Sequence, residues 1–292
     1  MKNLLSDNRY ENGFGVMGVS GSTGRANLAH FACGGKPEAS PIWQIGQWAG
    51  KGDLTKSKGS EIFPGIWNYT SGGKSFTLDR NRNLLTLAVN AGKEYDRARR
   101  ENEAWVHLLL EQEFPEKACV CEVNEMQAEL DFSVDKCLNL MGEEYDPSIH
   151  AAQLTWYIMV TNYPEHTVYD EKSGLWSEGA SGDYLWFGLP VFDNRRPYSD
   201  ASVAYDRGTD RFISSIASCR YLPQNLQTGK RYAFLYDILP DIREAVSRAK
   251  EAGALKNVRY ENLYFTYMNF GWELPGTFDV ALSVRKINLY RN

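Results

Sequence analysis

Ten residues, Trp105-Val-His-Leu-Leu-Leu-Glu-Gln-Glu-Phe114, constrain this chain more than any other stretch. Apolar side chains recur there at a period of two, the spacing of one face of a β-strand. Val106, Leu108, Leu110 and Phe114 make a core face in which Gln112 is the single polar member. Trp105, His107, Leu109, Glu111 and Glu113 make the opposite face. A row that joins a ring, an imidazole and two carboxylates fits the floor of a groove. Rings there stack on a ligand, and carboxylates bond to it or act on it. The row points toward sugar chemistry.

Other segments repeat the strand signal. Ser75–Leu78, Leu84–Val89, Ala128–Asp135, Gln153–Thr161, Tyr184–Phe192, Arg211–Ile216, Tyr260–Phe270 and Thr277–Leu289 are all rich in β-branched, aromatic or alternating residues. Pro190 places its strand at an edge or beside a bulge, because proline has no N–H for the ladder. One helix is marked near 241–252. Asp241 and Glu244 have capping-box spacing, Ile242, Ala245, Val246 and Ala249 form an apolar stripe, and Gly253 fits the stop. Residues 96–103 are a weaker helix or turn candidate. Residues 1–74 read as long N-terminal loops, with the tryptophans of Pro41-Ile-Trp43, Gln47-Trp48 and Phe63-Pro-Gly-Ile-Trp67 covering sheet edges or walling a cleft.

About ten strands, one helix and no alternating strand–helix rhythm predict an all-β, two-sheet antiparallel sandwich. The 292 residues show no repeat and no low-complexity linker, so a single domain over 1–292 is expected. Aromatics are 13% of the chain, which suits both β-structure and sugar-binding surfaces.

Charge and composition exclude several classes. The net charge is −5, and the densest basic cluster, Arg97, Arg99 and Arg100, sits among Glu94, Asp96, Glu101 and Glu103. No basic stripe is present to neutralise phosphates, so no nucleic-acid partner is expected. No stretch approaches the ~20 apolar residues of a membrane helix. The N-terminal residues lack an apolar signal core, so the expectation is a cytoplasmic chain, or an extracellular one if a leader has been removed. Five cysteines without a CxxC pair read as free thiols rather than a disulfide or zinc framework. His30, His150 and His166 lack metal-ligand spacing. The glycine-rich Gly13–Gly24 segment lacks the nucleotide-binding fingerprint and the phosphate-loop lysine. No metal and no cofactor is expected.

The row Trp105, His107, Glu111, Glu113 and the closing segment Asn269-Phe-Gly-Trp-Glu-Leu-Pro-Gly-Thr277, followed by an alternating strand, resemble the concanavalin A-like jelly roll. This is the two-sheet fold of many lectins, glucanases and polysaccharide lyases. The resemblance covers roughly residues 75–292, and it implies sugar binding on one sheet face. A fold does not by itself assign a function. One clan of jelly-roll glucanases uses Glu-x-Asp-x-(x)-Glu. The nearest match here is Glu129-Leu-Asp131, with Ser133 or Val134 in place of the closing glutamate. Arg99, Arg100, His107 and the Tyr260/Tyr264 row resemble the residue types of one lyase family without its spacing.

Glycoside hydrolysis needs two carboxyl groups, about 5–5.5 Å apart for retention and about 6.5–9.5 Å for inversion. Glu111 and Glu113 have backbones roughly 6.6–7 Å apart on a strand and are the first catalytic pair, with Glu273 the substitute partner. Each is also a residue type common at a solvated strand end or turn. Trp105, His107, Gln153, Tyr157 and Trp272 are the substrate-binding candidates, and an oligo- or polysaccharide, neutral or weakly charged, is the expected partner. A second acidic row, Glu129, Asp131 and Asp135, belongs more naturally to a solvated face. Hydrolysis leads; a non-catalytic lectin-like module, a polysaccharide lyase and a structural jelly roll are the alternatives.

Overall fold

Period-two alternation places each strand's apolar residues on one side, and two sheets then bury those sides against each other. The computed structural model describes all of residues 1–292 apart from 20–25, 37, 164–168, 171–174, 177–183, 207–210, 223–224 and 256–257. His166 and residues 20–24 of the glycine-rich segment therefore lie outside the described residues.

The first sheet has nine strands. In spatial order they are Ser202–Asp206, Arg211–Ser215, Tyr184–Asp193, Gln153–Asn162, Leu263–Leu274, Val106–Cys119, Trp43–Trp48, Phe14–Met17 and Asn27–Phe31. The second has eight: Arg231–Asp237, Met126–Asn139, Phe278–Arg291, Leu84–Asn90, Lys74–Asp79, Ile66–Ser71 and Ser60–Phe63, with Lys2–Asn3 paired to the Phe278 strand. Neighbours run antiparallel, except that the Phe14 strand is parallel to the Trp43 strand and the Tyr184 strand to the Arg211 strand. The fold is a jelly-roll sandwich of two sheets, as the alternation implied. No helix among the described residues is long and apolar enough to cross a membrane.

Val106, Leu108, Leu110 and Phe114 are buried between the sheets. Gln112 shares that side at no cost in unpaired groups. Its side-chain oxygen accepts from Ser6 N at 2.7 Å, and its amide donates to Ser6 O at 3.1 Å. Pro190 sits beside a bulge, where the pairing shifts between Leu154 and Thr155. The carbonyl of Pro190 accepts the Tyr221 hydroxyl at 2.6 Å.

Three expectations are corrected. Residues 1–74 are not loops. They contribute the strands Phe14–Met17, Asn27–Phe31, Trp43–Trp48, Ser60–Phe63 and Ile66–Ser71, and Trp43 is core rather than a cleft wall. The helix spans Leu239–Glu251 with Pro240 in its first turn, and the Asp241–Glu244 capping box does not form. Asp237 accepts from Leu239 N at 3.1 Å instead, while Asp241 accepts the Tyr236 hydroxyl at 2.9 Å and pairs with Arg220 at 2.5 Å. The predicted stripe of Ile242, Ala245, Val246 and Ala249 is buried as expected. Third, Trp272 is not a stacking platform. Its indole is fully buried between the sheets and donates to Leu87 O of the opposite sheet at 3.2 Å. The alternation that puts Glu273 outside must put Trp272 inside.

Removing that indole leaves a large cavity and deletes its hydrogen bond to Leu87 O. Trp272→Ala is expected to lower the unfolding free energy by about 3–5 kcal/mol in urea denaturation. A loss under about 1 kcal/mol would contradict its place in the core.

Candidate functional site

Residues directly opposite each other on neighbouring strands share a sheet face. On the outer face of the nine-stranded sheet one row runs Trp48, His107, Glu273, Gln153, Asp193. A second row, four residues along the Val106 strand, runs Gln44, Glu111, Asn269, Tyr157, Gly188. Five strands thus bring together residues from positions 44 to 273.

The first row is the more open. His107 Nε2 lies 3.9 Å from Glu273 Oε1, and both side chains keep some exposure. The His107 Nδ1 is 2.7 Å from Trp105 O. A carbonyl can only accept, so Nδ1 carries the proton and Nε2 presents its lone pair to Glu273. Burial lowers the His107 pKa to about 4, with Lys74 adding to the depression and the Trp105 hydrogen bond opposing it. Burial raises Glu273 to about 7. Near neutral pH the pair is therefore an uncharged imidazole facing a carboxyl group that still holds much of its proton.

Aromatic rings frame this pair. Trp105 stacks almost parallel to His107, with centroids 6.4 Å apart and planes 13° apart, and is 39% exposed. Trp48 meets His107 edge-on at 5.8 Å. Gln153 stands on the far side of Glu273 and donates to Asp193 Oδ2 at 3.1 Å. Asp193 is in turn gripped by Arg195 at 2.9 and 2.6 Å. Burial penalises the charged form, but those two hydrogen bonds outweigh it and lower the Asp193 pKa.

The second row is closed. Glu111 is fully buried and accepts the Tyr267 hydroxyl. Its carboxylate fills the space over Gly46, where a Cβ would collide with Oε1. Tyr157 packs on Trp186 with centroids 5.3 Å apart. Burial, and then the Glu273 charge, push its phenol far above the ordinary range.

The expected catalytic pair is corrected accordingly. Glu111 and Glu113 do share a face, but Glu111 is sealed against Tyr267, and Glu113 is exposed and paired with Lys117 at 3.3 Å. Their separation along the strand leaves one inside a packed layer and the other in water. Glu273, the substitute, is brought against His107 instead. Trp105, His107 and Gln153 gather around it, and Tyr157 lies one row below. The Glu129, Asp131 and Asp135 row lies on the eight-stranded sheet. It is tied up there by Asn288 at 2.7 Å, by Arg231, and by Ser133 and Ser283, each at 2.6 Å. Among the described residues no cluster of His, Cys, Asp and Glu is arranged to hold a metal ion.

Gln44, Asn269 and Asp193 belong to the two rows and Tyr267 bonds Glu111 without having been read from the sequence as site residues, and Trp48 was read only as a loop residue covering an edge or walling a cleft. Trp48 carried a usable signal: Trp43-Gln-Ile-Gly-Gln-Trp48 alternates, with Trp43 and Ile45 inside and Gln44, Gly46 and Trp48 outside.

No family model matches this sequence, and no curated protein matches it. Among solved structures the chain is similar to a family 12 xyloglucanase from Bacillus licheniformis at 10% identity, over 86% of this chain and 99% of that one, with a TM-score of 0.46. It is similar to a thermostable cellulase derived from Cel12A of Rhodothermus marinus at 11% identity, over 85% and 100% of the two chains, with a TM-score of 0.45. A family 11 xylanase from Neocallimastix patriciarum gives 11% identity, 85% and 100%, and 0.41. At such identities the activities of those enzymes stay with those enzymes.

The shifted carboxyl has a stability signature. Glu273 moves from 4.5 to about 7 on folding, so between those values the folded chain holds a proton that the unfolded chain has released. Its contribution to stability therefore falls as pH rises through that window, and the full penalty applies above about 7. His107 acts oppositely between about 4 and 6.5, where only the unfolded chain is charged. Glu273→Gln deletes the first effect and keeps the second. Its melting temperature relative to wild type is expected to climb steadily from pH 4.5 to 7. A constant offset would mean that Glu273 ionises at its ordinary value.

Proposed function

We propose that this protein is carbohydrate-active and cleaves glycosidic bonds in an oligo- or polysaccharide, with Glu273 as the proton donor. The observation that carries the reading is the Glu273 carboxyl itself. It lies on a sheet face beside the exposed Trp105 ring, with burial holding its pKa at about 7. An acid that protonates a departing sugar oxygen must hold its proton at working pH, and hydrophobic burial is the usual means. Trp105 supplies a platform for a pyranose ring, and Gln153 a hydrogen-bonding edge next to the acid.

His107 positions this acid rather than acting across the bond: its Nε2 lone pair faces Glu273 Oε1 at 3.9 Å, closer than the about 5–5.5 Å that separates the two groups of a retaining site. Glu111 does not supply the second carboxylate, because four residues of strand set it roughly 13 Å from His107 along the chain. A pH–rate profile that falls on the alkaline side near 7 follows, as Glu273 loses its proton.

A second reading is glycan binding without turnover. It is favoured by one observation: an imidazole, not a second carboxylate, faces Glu273. The two readings separate in one experiment. Wild type, Glu273→Gln and His107→Ala are assayed for reducing-end release on a panel of polysaccharides, with calorimetric binding in parallel. Hydrolysis predicts a loss of about 10²–10⁴-fold in turnover for Glu273→Gln with binding retained, the usual worth of a positioned proton donor. Binding without release in wild type selects the second reading. Full turnover in Glu273→Gln removes Glu273 from the chemistry.

A further inference from the structure

Next to the candidate site lies a recess of ≈ 650 Å³, bounded by Trp105 and Gln153 on the site's side and by Arg99, Ser148, Arg195 and Pro275 beyond. Its charge differs from that of the protein as a whole. Arg195 is neutralised by Asp193. Glu103 is committed to Arg97 at 3.0 Å and to Arg100 N at 2.8 Å. Arg99 is different. It is only 7% exposed, yet its bonds go to two backbone carbonyls, Glu103 O at 2.8 Å and Ile149 O at 3.2 Å. Among the described residues no carboxylate forms an ion pair with it, and its Nη2 donates to no protein acceptor. Its guanidinium lies 5.7 Å from the centre of the Trp105 ring.

A buried guanidinium without a counterion is costly unless something else supplies the negative charge. The carbonyls fix its plane and leave part of the donor fork free, which is the arrangement that receives a carboxylate in planar, two-point fashion. The Trp105 ring touches both neighbourhoods, with the Arg99 guanidinium 5.7 Å and the His107 ring 6.4 Å from its centre. A chain of sugars running past the exposed edge of that ring and Gln153 would place one residue at the acid and a neighbour beside Arg99.

We propose that the recess is a subsite for an acidic sugar, and that the glycan this protein takes carries a uronic-acid carboxylate on a unit next to the one at Glu273. This rests on the glycan reading above and narrows it. The net charge of −5 conceals the local site, because the acids around the recess are already paired with arginines other than Arg99 or, like Glu101, stand exposed in solvent.

The test compares oligosaccharides containing uronic acid with the same oligosaccharides after reduction of their carboxyl groups to alcohols. Binding is measured by calorimetry at low and high salt. Wild type is expected to bind the acidic form at least tenfold more tightly, with the preference shrinking as salt rises. Arg99→Gln is expected to lose the preference while still binding the reduced form, and Arg99→Lys to keep part of it. Should Arg99→Gln fail to fold, the wild-type comparison and Arg99→Lys decide. Equal binding of acidic and reduced forms by wild type overturns the acidic subsite and leaves the glycan reading standing. Absence of binding to acidic, reduced and neutral glycans alike overturns both. A preference for the acidic form that persists unchanged in Arg99→Gln places the anion elsewhere and refutes the role of this recess.

Discussion

The strand Val106–Cys119 carries two demands at once, and most of the structure follows from meeting both. Its inner side, Val106, Leu108, Leu110 and Phe114, closes the core against the second sheet. Its outer side fixes His107 opposite Glu273 on one neighbour and opposite Trp48 on the other. The register cannot slip by one residue without exposing the first set and burying the second. The hydrophobic packing that stabilises the sandwich is thus also what sets the spacing of the polar pair. A β-sheet holds such a pair more stiffly than a loop does, because each side chain is anchored by ladder bonds on both flanks.

The rest of the outer face is arranged to keep that pair partly dry. Trp105 and Trp48 enclose the imidazole, and the Trp105 carbonyl fixes which of its nitrogens holds the proton. Partial burial then does two opposite things: it keeps His107 neutral by lowering its pKa, and it keeps Glu273 protonated by raising its own. Both shifts favour the uncharged state, as desolvation requires. Elsewhere in the fold some buried polar groups serve to tie loops down. Lys74 donates to Gly52 O at 2.9 Å, and Glu94 accepts from Gly52 N at 2.8 Å and from Gly73 N at 2.5 Å. Together they staple the 50–53 turn to the hairpin that precedes Lys74.

What the sequence made legible was the alternation of long strands. Val106–Cys119, Met126–Asn139, Gln153–Asn162, Leu263–Leu274 and Phe278–Arg291 all run ten residues or more, so their periodicity stands out. Lys74–Asp79 and Arg211–Ser215 were legible too, but most other strands of four to six residues did not announce themselves. Phe14–Met17 has no alternation because all four residues are buried, and in Trp43–Trp48 a glycine takes an outer position beneath Glu111. The site was half legible. The face of His107 and Glu111 followed from strand period alone, but the depth of each side chain did not. Glu111 is sealed by Tyr267, from a strand more than 150 residues away in sequence, and no local pattern reports that contact. Trp272 shows the converse. The alternation that sets Glu273 on the outer face requires the indole to point inward, although its chemistry suggested a sugar platform. The helix cap failed for a similar reason: Asp241 has capping spacing but is claimed by Arg220 and Tyr236, partners supplied by the tertiary fold.

The account stands on a carboxyl group that burial keeps protonated beside a neutral imidazole. Carboxyl-carbon nuclear magnetic resonance reads that directly. Glutamate side chains are labelled with ¹³C, and the Glu273 signal is assigned by its absence in Glu273→Gln and followed across pH. The account predicts a midpoint near 7 for this resonance. A midpoint near the ordinary 4.5 would contradict it, because Glu273 would then be an ionised surface group with no proton to give at neutral pH.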